Sequence, residues 1–131
     1  MTDEKTLRVP DYLEHILQAM TQIETYTEGI DQAAFARSPL LQDAVVRNIE
    51  IIGEAANNIL SLDSTFDKNH PDLELRAAYA MRNALSHGYF TVNPVVVWGT
   101  VQHDIPTLKK QVVDALRDST PPLNNGRKLT T

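Results

Sequence analysis

Cysteine is absent from this chain of 131 residues. Disulfides and thiolate metal sites are therefore excluded, and the composition is compatible with a reducing compartment. Long apolar runs are also missing, since a stretch such as VVVW at 95–98 is far shorter than the roughly 20 residues of a membrane-spanning helix. The opening MTDEKTLRVP lacks the apolar segment of a secretory signal. We therefore expect a cytoplasmic protein without a membrane partner.

Positive charge is scarce as well, because 12 Lys and Arg residues face 17 Asp and Glu residues, for a formal net charge of −5. Broad, sequence-independent binding to nucleic acid requires many phosphate contacts and is therefore disfavoured. A local basic pocket remains compatible with this charge. The hydrophobic fraction of 42% and the charged fraction of 22% are typical of one globular domain with a buried core.

The dominant pattern in the sequence is the helical spacing of its apolar residues. Apolar residues recur at the i, i+3, i+4 spacing over residues 10–28, and Gly29 then predicts a C-terminal stop. Ser38 and Pro39 predict an N-cap followed by the first position of a second helix, which reaches about residue 60. Gly53 costs that helix about 1 kcal/mol relative to alanine. We therefore expect another helix to approach Gly53 closely.

A third helix is predicted after a polar loop. The loop is SLDSTFDKNH at 61–70, and Pro71 follows it as a helix-opening residue. Asp72 and Glu74 would then occupy the first turn, where the helix dipole favours acidic side chains.

Asn93 and Pro94 predict the start of a fourth helix, and Pro106 inside its apolar pattern predicts a kink. Together these elements predict an all-α protein, a four- or five-helix up-and-down bundle over residues 1–118 whose final helix is kinked near Pro106. Residues 119–131 have no apolar period and are predicted to form a mobile C-terminal tail.

The segment RNALSHGYF at 82–90 gathers polar groups at the end of the third helix. At about 100° per residue, Arg82, Asn83 and His87 fall on one polar arc, and Gly88 predicts that the helix ends there. From the residues alone two interpretations stay open: a polar rim that hydrogen-bonds the last carbonyls, which is the more common case, or a small catalytic site. The opposite face is apolar and contains Leu73, Ala77, Ala78, Met81, Ala84 and Leu85.

Three segments together resemble one known superfamily. RNALSHGYF, RNIEIIGEAA at 47–56 and VVWGTVQHDIPTLKKQV at 96–112 resemble the HEPN superfamily and, more narrowly, HepT-like toxins of the MntA–HepT toxin–antitoxin type. The resemblance covers roughly residues 7–117. It implies a HEPN-like bundle that acts on RNA as a homodimeric, metal-independent endoribonuclease without a cofactor. One departure is LELRAAYAMRN at 73–83, which lacks the tryptophan that HepT-like chains often carry shortly before the arginine.

The resemblance also implies roles for single residues. Its R-x4-H motif lands on Arg82 and His87 as catalytic residues, and its polar position after the arginine lands on Asn83. Tyr89 matches the tyrosine that accepts AMP from an MntA-like nucleotidyltransferase antitoxin, which silences the toxin.

These residue types suit RNA cleavage by the 2′-OH. A histidine titrates near neutral pH and can move a proton, and an arginine can stabilise charge on the phosphoryl oxygens. One chain supplies one histidine in the motif, so we expect a symmetric dimer to bring two motifs to one cleft.

Two other functions are weighed against the ribonuclease. The chain could be a non-catalytic HEPN binding partner of a nucleotidyltransferase, which the acidic net charge favours. It could also be a helical scaffold with a degenerate site, which the intact motif disfavours.

Other polar residues have ordinary interpretations. His15, His70 and His103 lack the spacing of metal ligands and are predicted to be surface or capping residues, so no metal site is expected. Trp98 is predicted to be in the core or an interface, and Lys109 begins a solvated basic pair with the next residue.

Glu50 and Glu54 are i, i+4 neighbours on the second helix. They are predicted to form a solvated face, with a role in partner binding or in positioning Arg82 left open. Arg47 is one turn earlier and could pair with Glu50.

Overall fold

The structure is a computed structural model that describes residues 7–86 and 93–119. These residues form helices and connecting turns without a β-strand. The all-α bundle predicted from the sequence is therefore confirmed. The helices are α1 Val9–Thr27, α2 Gln32–Ala36, α3 Pro39–Leu62, α4 Phe66–Asn69, α5 Leu75–Ser86, α6 Pro94–Gly99 and α7 Ile105–Ser119, and a π-helical segment, Thr100–Asp104, joins α6 to α7.

The predicted stop signal of α1 and the predicted start signals of α3 and α6 act as expected. Gly29 follows the end of α1 with φ of 77°, a left-handed conformation that glycine adopts without a Cβ penalty. Ser38 caps α3, because its Oγ accepts a hydrogen bond of 3.1 Å from the N–H of Leu41. Asn93 caps α6 in the same way, accepting a bond of 2.9 Å from the N–H of Val95.

One hydrophobic core joins the long helices, with α1 packed on α3 and α7, and α3 also packed on α5. The apolar stripes predicted from periodicity supply most of it. Within the described ranges, each helix is too short or too polar to cross a lipid bilayer. The largest fully buried side chains are Leu13, Ile16, Met20, Ile23, Phe35, Val45, Ile49, Ile52, Ile59, Leu75, Val97 and Ile105.

The predicted start of the third helix was wrong, because α5 begins at Leu75 and not at Pro71. The backbone instead makes a turn in which the N–H of Leu73 donates to the carbonyl of His70 at 2.9 Å. This turn places Leu73 in the core, with 4% of its surface exposed. Burial of this leucine outweighs the local helix signal of the proline and the acids.

The prediction of a polar loop at 61–70 was wrong in part. Helix α3 continues through Leu62, and α4 forms a single turn within the segment. The reason is tertiary, since Phe66 of α4 is buried in the core.

A kink was predicted near Pro106, and the structure has a π-helical segment, Thr100–Asp104, just before this proline. Ile105 donates its N–H to the carbonyl of Thr100, five residues earlier. Pro106 has no N–H to donate, and in an ideal α-helix its ring would clash with the carbonyl of the residue four positions earlier. The wider π-helical turn lies just before this proline. The helix then continues as α7. Of the predicted C-terminal tail, residues 120–131 lie outside the described residues.

Candidate functional site

An open cleft of about 450 Å³ lies between α1, α3 and α5. Helix α1 contributes two rings, α3 contributes most of the floor and α5 contributes one arginine. The cleft is lined by Tyr12, His15, Arg47, Glu50, Ile51, Glu54, Ala55, Asn58 and Arg82.

Helical spacing explains why these α3 residues share the cleft. Arg47, Glu50, Glu54 and Asn58 follow one another at three- or four-residue steps, so they lie on one face of α3. Ile49 and Ile52 point the other way into the core. The polar side of an amphipathic helix is thereby presented to α1 and α5.

The two rings on α1 also follow from helical spacing. Tyr12 and His15 are one turn apart, and their ring centroids lie 5.6 Å apart with an interplanar angle of 84°. This edge-to-face arrangement is favoured by the charge distribution of aromatic rings. His15 is an exposed residue, as predicted, but its position beside a cleft that contains Arg82 was not anticipated.

Arg82 makes two polar contacts with its guanidinium. Nη2 lies 3.4 Å from Oε1 of Glu54, and Nη1 donates a hydrogen bond of 2.9 Å to Oδ1 of Asn83. The structure therefore brings two of the predicted site residues, Arg82 and Asn83, into direct contact. The Arg82 side chain is 32% exposed and that of Glu54 is 55% exposed. Ion pairs this open to solvent contribute about 0–1 kcal/mol, so packing must supply most of the order.

That packing is found at Gly53. An added Cβ at this glycine would lie 2.1 Å from Cβ of Arg82, 2.7 Å from its Cγ and 3.1 Å from the carbonyl oxygen of Ala78. Glycine is therefore the residue that lets α5 approach α3 at this level. The close helix approach predicted from Gly53 is confirmed, and the approaching residue is Arg82.

The other predicted site residues lie outside the described part of the chain. His87, Gly88 and Tyr89 belong to the segment 87–92, for which the structure gives no placement. The roles assigned to His87 and Tyr89 therefore remain predictions. On the apolar face predicted for α5, Leu73 and Ala78 are buried, whereas Ala77 and Ala84 are exposed.

The charges on the cleft wall are mixed. Among the described residues, the side chain of Arg47 has no ion-pair partner, so the pair that it could have formed with Glu50 is not found. Glu54 is instead paired with Arg82. The described ranges contain no group of three or more His, Asp or Glu side chains placed to hold a metal ion.

The remaining histidines and Trp98 lie away from the cleft. His70 follows the last residue of α4 and stacks on Phe66 with centroids 4.2 Å apart, while His103 is exposed in the π-helical segment. Trp98 packs on the core residue Phe35 at a centroid distance of 5.3 Å. These positions agree with the surface, capping and core roles predicted from the sequence.

The two lysines predicted to form a solvated pair each contact an acid. Lys109 Nζ lies 2.8 Å from Oε1 of Glu24, and Lys110 Nζ lies 3.2 Å from Oδ2 of Asp114. Both contacts are on the surface and away from the cleft residues.

The structure thus combines an all-α bundle with Arg82 and the adjacent Asn83 near the end of α5. The family model described as ribonuclease HepT-like matches residues 16–115. The chain belongs to this HepT-like family of the HEPN superfamily.

Relatives with assigned names agree with this placement. A protein named "Probable ribonuclease HepT" from Thermococcus cleftensis is 43% identical over 99 residues, covering 76% of this chain and 87% of its own. A protein provisionally named an RNase from Caldanaerobacter subterraneus subsp. tengcongensis is 40% identical over 106 residues, covering 81% and 92%. Another provisionally named RNase, from Methanocaldococcus jannaschii, is 32% identical over 104 residues, covering 79% and 93%. No solved structure gives a significant match.

Proposed function

We propose that this protein is an endoribonuclease toxin that cleaves RNA at the cleft between α1, α3 and α5. The observation that carries the proposal is the Arg82 guanidinium at the cleft wall, in a chain of the ribonuclease HepT-like family. Arginine is suited to this place because its planar fork of donors matches the oxygens of a phosphodiester.

The reaction uses the RNA's own 2′-OH as the nucleophile and needs no metal ion. The 2′-oxygen forms a bond to phosphorus while the bond from phosphorus to the 5′-oxygen breaks. One proton leaves the 2′-OH and another is delivered to the departing 5′-oxygen, for which His87 is the proposed proton carrier. Arg82 stabilises the charge that develops on the phosphoryl oxygens. The products carry a 2′,3′-cyclic phosphate and a 5′-OH.

The cleft also suits the nucleotides beside the scissile phosphate. Arg47 on α3 supplies a second cation to the lining of the cleft, and Tyr12 and His15 on α1 supply ring surface. Single-stranded nucleic acids bind where cations track the backbone and rings stack on the bases. A cleft of this kind provides local binding although the chain carries a net charge of −5.

The proposed active form is a homodimer. Proton transfer needs both an acid and a base, and the motif of one chain supplies His87 alone. Two copies related by a two-fold axis would place two motifs at one cleft. Light scattering on the purified protein tests this, and a dimer mass is expected.

A cleavage assay in the presence of EDTA tests the ribonuclease proposal. Wild-type protein with unmodified Tyr89 should cut RNA and leave cyclic-phosphate ends, and His87→Ala should lose this activity while remaining folded. A substrate with a single 2′-deoxy sugar at the cut site should resist cleavage there. Full cleavage by His87→Ala, or cleavage only after a divalent metal is added, would overturn the proposed chemistry.

Regulation by a nucleotidyltransferase antitoxin is proposed at Tyr89. Transfer of AMP from ATP to its hydroxyl, with release of pyrophosphate, would add a negative phosphodiester and a nucleoside two residues from His87, which opposes the approach of RNA phosphates. Mass spectrometry after incubation with the antitoxin and ATP should find AMP on the peptide that contains Tyr89. Modification of other residues alone would contradict this proposal.

A second candidate function is a non-catalytic partner of the nucleotidyltransferase, which the net charge of −5 favours. The two candidates differ in one result. A purified, unmodified protein that binds the nucleotidyltransferase but leaves RNA intact would support the binding partner.

A further inference from the structure

We infer that Gly53 and Glu54 of α3 form a seat that positions the Arg82 guanidinium in the cleft, and that Glu54 is a positioning residue for RNA cleavage. The inference rests on the proposed function for its catalytic consequence. Its structural part, the control of Arg82 by two successive residues of α3, can be measured without RNA.

The seat begins with a steric contact. Gly53 packs closely against the first carbons of the Arg82 side chain. A Cβ added to this glycine would fall 2.1 Å from Cβ of Arg82 and 2.7 Å from its Cγ. Any other residue at 53 would have to displace these carbons, which are close to the backbone and cannot swing aside as the end of a long side chain can. Gly53 therefore fixes where the Arg82 side chain leaves α5.

The next residue of α3 fixes where the side chain ends. Glu54 meets Nη2 of Arg82 at 3.4 Å, while Asn83 accepts a hydrogen bond from Nη1 at 2.9 Å. The two terminal nitrogens of the guanidinium thus have separate partners on separate helices. Two such contacts restrict rotation of the planar group, whereas one contact leaves it able to pivot.

Glu54 also has an electrostatic cost for substrate binding, because its carboxylate repels RNA phosphates and lowers the net charge around Arg82. A residue that only repelled substrate would increase activity when neutralised. A residue that positions the guanidinium would lower the rate of the chemical step, since small misplacements of a catalytic group reduce rates strongly. Repulsion acts on substrate binding and therefore on KM, whereas positioning acts on kcat, so a lower kcat in a variant without Glu54 distinguishes positioning from repulsion.

Steady-state kinetics on a defined RNA separates the roles of Glu54. We expect Glu54→Ala to lower kcat about tenfold without raising KM, and Glu54→Gln, which retains an acceptor oxygen, to lower it less. The matched control is Glu14→Gln on α1, which removes the same charge from an exposed helical glutamate outside the cleft and should leave kcat unchanged. A kcat equal to or above that of wild type in Glu54→Ala would refute positioning.

The glycine has its own matched control. Gly53→Ala should lower kcat through displacement of Arg82. Gly99→Ala adds the same methyl group to another helical glycine whose Cβ would have no neighbour within 4 Å, so it should not change kcat. An unchanged kcat in a folded Gly53→Ala variant would refute the steric part of the seat.

A spectroscopic measurement reports on Arg82 without any reaction. The side-chain N–H signals of Arg82 in a ¹H–¹⁵N NMR spectrum are identified by their loss in Arg82→Lys. We expect these signals to shift in Glu54→Gln and Gly53→Ala and to stay in place in Gly99→Ala. Unshifted signals in both α3 variants would refute the seat.

The kinetic and spectroscopic results also distinguish failure of this inference from failure of the proposed function. A wild-type protein that cleaves no RNA but shows the expected shifts has the seat and lacks the reaction. A wild-type protein that cleaves RNA while both α3 variants retain full kcat and unshifted Arg82 signals is a ribonuclease without the seat.

Discussion

Gly53→Ala is expected to destabilise the bundle although alanine favours helices. Two opposing contributions to the free energy of unfolding can be separated. Replacing glycine by alanine inside a helix stabilises by about 1 kcal/mol. The added Cβ would lie 2.1 Å from Cβ of Arg82 and 3.1 Å from the carbonyl oxygen of Ala78, so α3 and α5 must move apart locally. Overpacking of this kind costs about 1–3 kcal/mol.

Gly99→Ala provides the reference that removes the helix-propensity contribution. Gly99 has helical φ and ψ of −58° and −41°, and a Cβ there would meet no atom within 4 Å. Its substitution should therefore stabilise by up to about 1 kcal/mol. The difference between the two variants estimates the steric cost at Gly53 alone, expected to be about 1–3 kcal/mol.

Urea unfolding followed by circular dichroism measures both variants under the same conditions. The midpoint of Gly53→Ala should fall clearly below that of Gly99→Ala, with similar slopes. If Gly53→Ala were stabilised as much as Gly99→Ala, the close contact between Gly53 and Arg82 would be absent in solution.

Three further predictions concern the cleft, one surface contact and one helix cap. Arg47→Gln should weaken binding of an uncleavable single-stranded RNA about tenfold and reduce the slope of log affinity against log salt by about 0.7. Arg37→Gln removes the same charge outside the cleft and should leave both quantities unchanged. Equal effects of the two substitutions would show that Arg47 is not part of the binding surface. Arg76 donates a 2.6 Å hydrogen bond to Asp67 and holds the pKa of that carboxyl below its ordinary 3.8, so the contact is intact above pH 3.8 and is lost as pH falls through the lowered pKa. An NMR titration should show this pKa return toward 3.8 in Arg76→Gln, and an unaltered pKa would contradict the cause. Ser38→Ala should lower the free energy of unfolding by about 1 kcal/mol through loss of the α3 cap, and unaltered stability in urea unfolding would contradict a capping role.

Local signals predicted the parts of the fold that depend on a few neighbouring residues. Gly29 ends α1, Ser38 caps α3 and Asn93 caps α6 because turn and cap chemistry acts over three or four residues. Gly53 was also informative, because a glycine in a long helix has a cost that a close contact can explain.

Tertiary contacts account for what the sequence did not reveal. The late start of α5 follows from burial of Leu73, and the single turn of α4 follows from burial of Phe66. Both depend on a core surface that forms only when distant helices pack. The order of residues along a short segment therefore does not predict the burial of Leu73 or Phe66.

The candidate site also has a part that local sequence predicted and a part that depends on tertiary packing. The motif drew attention to Arg82 and Asn83, which the structure finds in contact. The cleft itself was not anticipated, because Tyr12 and His15 lie on α1 and only packing brings that helix beside α5 and α3. The role of Glu54 was one of several open interpretations, and its 3.4 Å contact with Arg82 favours positioning.

The initial rate of cleavage of one defined RNA by wild type and by Arg82→Ala tests most directly whether the cleft is a ribonuclease site. Removal of a group that stabilises transition-state charge typically costs about 10²–10³ in rate. We therefore expect at least about a hundredfold loss in Arg82→Ala, with helix content and unfolding midpoint close to those of wild type. A folded Arg82→Ala protein that cleaves RNA at the wild-type rate would contradict the assignment of this cleft as the site of reaction.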